Sequence, residues 1–96
     1  EASTPSDEKI RAALVACQKL LTPDGKLVIT VPIGYNPHLD RLIRERTLGA
    51  SREVYFERDA FSAWRPADQA AALRKQYKRP FPYANAILVA EFIAAN

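Results

Sequence analysis

The residues best suited to chemistry in this 96-residue chain sit in one short stretch, Tyr35-Asn36-Pro37-His38. Tyr35 offers an aromatic face, Asn36 an amide, and His38 an imidazole that accepts a proton near neutral pH. His38 is the single histidine, and it is the candidate catalytic base. Residue type alone favours plainer roles for two of them. Asn36 before a proline suits a helix N-cap, and His38 then falls in an exposed first turn. A second candidate is Trp64-Arg65, where an aromatic and a guanidinium could clamp a planar or anionic ligand. A Trp packed over a small core is the commoner arrangement. The third is Arg74-Lys75-Gln76-Tyr77-Lys78-Arg79, four cations around one aromatic. It suits phosphates or an acidic sugar carrier, yet a helix C-terminus attracts cations through its dipole without any ligand.

Other chemistries find little support. The one cysteine, Cys17, cannot form an internal disulfide, and no Cys/His spacing suits zinc. Cys17 falls on the apolar stripe of a helix, so a buried structural thiol is expected. Asp40 and Glu45, five apart on a helix, point away from one another and make no carboxylate pair. Residues 41–79 hold ten Lys/Arg against five Asp/Glu. Such a basic centre can attract anions, but no nucleic-acid signature accompanies it, and a solvated helix face explains it as well. No apolar run approaches the roughly 20 residues that span a bilayer, and Glu-Ala-Ser-Thr-Pro at the start lacks a signal-peptide pattern. A cytoplasmic location is therefore expected. The polar start equally suits a cut inside a longer chain.

The elements that must position these residues follow from periodicity and turn chemistry. Thr4 as N-cap, Pro5 at the first helical position and Asp7 closing a capping box predict a helix over 5–21. Ile10, Ala13, Leu14, Cys17, Leu20 and Leu21 form its apolar stripe. Thr22-Pro23-Asp24-Gly25 predicts a tight turn, and the apolar run 26–31 a strand covered on both faces. Asn36-Pro37 opens a second helix that buries Leu39, Leu42 and Ile43, turns Asp40 and Arg41 to water, and ends at Gly49. A strand over 52–57, a loop over 59–65 and a third helix over 67–77 behind Pro66 come next. Pro80 and Pro82 enforce an extended segment in which Phe81 and Tyr83 pack down. A third apolar strand covers 86–92. The whole reads as α/β, one partial domain over residues 1–96 with about three strands in a mixed sheet between helices.

The run Leu20-Leu21-Thr22-Pro23-Asp24-Gly25-Lys26-Leu27-Val28-Ile29-Thr30-Val31-Pro32 resembles the passage of class I S-adenosylmethionine-dependent methyltransferases that leads into their fifth strand. Asp24 stands where Gly is commoner, a mild departure because Asp also suits a turn. Tyr55-Phe56 resembles the sixth strand and Ala84 to Phe92 the seventh, which in that family inserts antiparallel between strands five and six. The resemblance covers the chain from about residue 8 and implies the C-terminal part of a Rossmann-like methyltransferase sheet. It also implies that the Tyr35–His38 loop borders the acceptor substrate. The family's S-adenosylmethionine site needs a Gly-rich loop and an acidic residue after the first two strands. With only Gly25, Gly34 and Gly49, widely spaced, no such loop exists here. The cofactor is thus expected in a parent enzyme, and no cofactor is expected to bind this chain alone.

Three functions follow. The first is a methyltransferase C-terminal fragment, inactive alone, completed by an N-terminal half and acting on an unknown acceptor. The second is a stand-alone α/β module that oligomerises through an exposed sheet edge. The third and weakest is an anion- or nucleic-acid-binding domain using the basic centre.

Overall fold

A computed structural model describes residues 5–94, so Thr4 and its capping role, like the last two residues, lie outside the described part. The order is α1 (Pro5–Lys19), β1 (Lys26–Pro32), α2 (Pro37–Arg44), β2 (Arg52–Arg58), β3 (Trp64–Ala67), α3 (Gln69–Leu73) and β4 (Ala86–Ile93). The class is α/β, with one four-stranded open sheet of order β1-β4-β2-β3. Every neighbouring pair is antiparallel. Because β4 pairs antiparallel with both β1 and β2, those two run parallel to each other. The expected mixed sheet of about three strands is corrected to four strands with antiparallel neighbours.

The register explains the core. Leu27, Ile29 and Val31 of β1 lie on the same face as Phe92, Ala90 and Leu88 of β4, and Tyr55 of β2 opposes Leu88. On this face they meet Ile10 and Leu14 of α1, Leu42 and Ile43 of α2, and Ala72 of α3. All three helices therefore cover one face. The other face carries Val28, Val54, Phe56 and Val89, and Val28 is 57 % exposed. Burial along β1 alternates accordingly, so the expected cover on both faces is not present. A continuous apolar run cannot by itself reveal which of its two faces is covered.

Thr22–Gly25 forms the predicted tight turn, with the Gly25 N–H donating to Thr22 O at 2.8 Å. Other expectations are corrected. α1 ends at Lys19 rather than 21, and its inward stripe runs through Asp7, Ile10, Arg11, Leu14 and Gln18, leaving Cys17 exposed. The cause is the bond between Asp7, buried beneath α2, and Arg41, which turns Asp7's side of the helix inward and Cys17 away. α2 ends at Arg44. Arg46, at φ 60°, supplies the left-handed residue, and the Thr47 N–H reaches back to Leu42 O, so Gly49 does not end the helix.

Pro66 does not open a helix either. It lies in β3, an edge strand, where a missing N–H leaves no ladder bond unmade. The hairpin is closed by Asp59, whose Oδ1 accepts from the Phe61 and Ala63 N–H groups, with Ser62 at φ 63°. Asp68 then caps the short α3, so the expected helix over 67–77 shrinks to five residues. Phe81 is half-buried, but Tyr83 is exposed.

Candidate functional site

The registers bring the C-terminal ends of β1 and β2 and the N-terminal ends of β4 and β3 to one end of the sheet. The Tyr35–His38 loop follows β1 there, and Trp64 and Arg65 begin β3 there. Ligands of open α/β sheets collect beyond the carboxyl ends of parallel strands, which here means the ends of β1 and β2. Between the two groups stand the widths of β4 and β2, placing β1 and β3 roughly 14 Å apart.

On the β1 side the chain turns sharply at Gly34 (φ +88°), where a Cβ would sit 2.9 Å from the Tyr77 backbone nitrogen. The Gly34 N–H donates to both carboxylate oxygens of Asp40 at 3.1 Å, so Asp40 is engaged rather than turned to water. Tyr35 packs on Tyr77 with ring centroids 5.0 Å apart at 60° and stays 66 % exposed. Asn36 is the N-cap of α2, its Oδ1 accepting from the His38 and Leu39 N–H groups. The cap occupies that oxygen and fixes His38 in the first turn. The His38 Nδ1 lies 3.7 Å from Oδ1 of buried Asp7, while its side chain remains 44 % exposed. That separation from the Asp7 carboxylate exceeds a hydrogen bond. Arg41 binds the same carboxylate, so the expectation that Arg41 faces water is corrected.

On the β3 side the proposed clamp does not form. Successive strand residues point to opposite faces, which separates Trp64 from Arg65. Arg65 Nε donates to Asp59 Oδ2 at 2.5 Å. That hydrogen bond, with those from the Ala63 and Phe61 N–H groups, holds the Asp59 carboxyl below its ordinary range, and the pair raises Arg65 in turn. Arg65 thus closes the hairpin. The guanidinium over Trp64 belongs to Arg58, 5.0 Å from that ring and 5.6 Å from Phe81.

Sequence reasoning missed Arg58, Asp7 and Asn85, and it named Tyr77 among the cations of 74–79 without its contact to Tyr35. Asn85, 1 % exposed, donates through Nδ2 to Gln76 O, Phe81 O and Tyr83 O and accepts from the Phe81 N–H. It ties the 76–85 segment across the end of the sheet, setting Tyr77 against Tyr35 and Phe81 against Arg58. No local pattern marks a residue whose partners are backbone carbonyls in a loop. Among the described residues no three His, Cys, Asp or Glu side chains gather as a metal site, and no helix is long and apolar enough to cross a membrane. Comparison with protein-family models, with curated proteins and with solved structures finds no match to this chain.

Proposed function

We propose that this chain forms the C-terminal sheet region of an S-adenosylmethionine-dependent methyltransferase and lends it the acceptor-side loop Tyr35–His38. One observation carries the reading. β4, last in sequence, is inserted antiparallel between β1 and β2, which run parallel to each other. That is the relation of the seventh strand to the fifth and sixth in the family the sequence resembles. The free outer edge of β1 and the uncovered apolar face around Val28, Val54 and Val89 give further support, because a doubly wound sheet continues at such an edge and is covered on both faces. The β3 hairpin lies outside what the resemblance implies.

In this reading His38 takes the proton from the acceptor's O–H or N–H, its ring standing 3.7 Å from the Asp7 carboxylate that Arg41 binds. Tyr35 and Tyr77 wall the acceptor side. The cofactor does not fit these residues. Gly25 and Gly34 are each filled by close chain approach, to Thr22 and Tyr77, and lone Gly49 makes no cradle. S-adenosylmethionine therefore falls to sheet and loops outside this chain.

Calorimetric titration of S-adenosylhomocysteine tests the proposal. The 96-residue chain should give no binding heat, and the same chain extended by its upstream coding sequence should saturate. An extended chain that binds nothing overturns it. The same free edge favours a second reading, a non-catalytic module that assembles through β1. Light scattering that finds a folded monomer removes that one.

A further inference from the structure

The basic run 74–79 has no helix end to explain it. α3 stops at Leu73 after five residues, too short for much of a dipole, and Lys75 to Arg79 lie beyond it. Instead Arg74, Lys75, Gln76, Arg79 and Pro80 line a shallow cleft of about 650 Å³. Gln76 and Arg79 pair across a tight turn, and Asn85 holds that turn in place through Gln76 O. Lys75 Nζ is 3.4 Å from Glu57. Among the described residues Arg74 and Arg79 have no carboxylate partner. Three cations thus line one concavity, and the single carboxylate beside it, Glu57, is taken by Lys75, which leaves the two guanidiniums to an incoming anion.

We propose that this cleft binds the phosphate or diphosphate group of a small molecule. Two guanidinium forks match tetrahedral phosphate oxygens in bidentate fashion, and a nearby ammonium adds a point charge. A single carboxylate needs only one fork, so the pair favours a multiply charged group. The cleft is shallow and open, which leaves room beside the phosphate for the rest of a small molecule. The cations are confined to one turn, whereas nucleic acid calls for a stripe of them with stacking platforms along it. Arg58 and Arg65 do not extend the patch, because they are engaged with Trp64 and Asp59. The site stands whether or not the methyltransferase reading holds.

The test is an amide-shift NMR titration of the 96-residue chain with sodium pyrophosphate at constant ionic strength. Saturable shifts confined to the amides of residues 74–79 are expected. The double variant R74Q/R79Q removes two exposed side chains and should weaken binding on the order of tenfold or more. E57Q frees Lys75 and should tighten it severalfold. Shifts that never saturate or spread evenly over the surface overturn the proposal, as does unchanged affinity in R74Q/R79Q. A single-stranded oligonucleotide that displaces pyrophosphate far more tightly, with a steep salt dependence, also overturns it, in favour of nucleic acid.

Discussion

Replacing Asn85 by alanine should cost this chain a large share of its stability. The side chain is almost wholly buried and makes four contacts, Nδ2 to Gln76 O at 3.1 Å, Phe81 O at 2.9 Å and Tyr83 O at 3.3 Å, and Oδ1 from the Phe81 N–H at 3.1 Å. Two amide hydrogens cannot fully serve three carbonyls, so the set amounts to about three bonds. At about 1 kcal/mol net for each, the loss is about 3 kcal/mol, set against roughly 5–15 kcal/mol for a whole domain. For a domain of this size that lowers the thermal midpoint by roughly 12–24 °C. Urea unfolding followed by Trp64 fluorescence measures the first quantity and calorimetry the second. N85D sharpens the test. It keeps the shape and the acceptor but sets a negative charge against three carbonyls, so at pH 7 it should be less stable than N85A. Protonation restores one donor, so that gap should narrow as pH falls through the raised range of a buried carboxyl and stop changing near about pH 4, where the unfolded chain is protonated too. A loss below about 0.5 kcal/mol in N85A, or N85D equal to N85A at every pH, would refute the account of how the end of the sheet is held.

Two further outcomes follow from backbone and burial. Gly34 and Gly49 both have positive φ, but only at Gly34 would a Cβ meet neighbouring backbone, whereas Gly49 has open space. G49A should cost about 1–2 kcal/mol from conformation alone, and G34A more, with loss of the Tyr35–Tyr77 contact; equal unfolding midpoints in urea would contradict this. Tyr55 is 6 % exposed; burial, and then its hydrogen bond to Glu53, push its hydroxyl up from an ordinary 10 to about 12. The folded chain keeps a proton that the unfolded chain releases in that interval. Stability is thus undiminished by this group below about pH 10 and falls as pH rises towards 12. Y55F should lose that part of the decline, and a variant whose midpoint falls as steeply as the parent's would argue against the assignment.

Much of the local structure is written in short-range chemistry. Thr22–Gly25 specifies its turn, Asn36-Pro37 the start of α2, and the apolar runs the strands at 26–32, 52–58 and 86–93, because caps, turns and β-branched runs act within a few residues. The same signals misled at Pro66, which suits both a helix start and an edge strand. Only the pairing of Phe56 with Pro66 decides between them. In the candidate site, the sequence singled out Tyr35, Asn36 and His38 and placed them after a strand. It could not tell that Asp7, thirty-one residues before His38, would supply its carboxylate, or that Arg58 rather than Arg65 would cover Trp64. Those partnerships depend on which faces of the sheet and helices meet, a matter of register and long-range packing. Composition and periodicity therefore fixed α1, α2 and the three longer strands, with the chemistry available at their ends, but not β3 or the short α3. The tertiary structure alone decided that the helices gather on one face, that Cys17 turns outward, and that Arg74, Lys75 and Arg79 line a cleft instead of capping a helix.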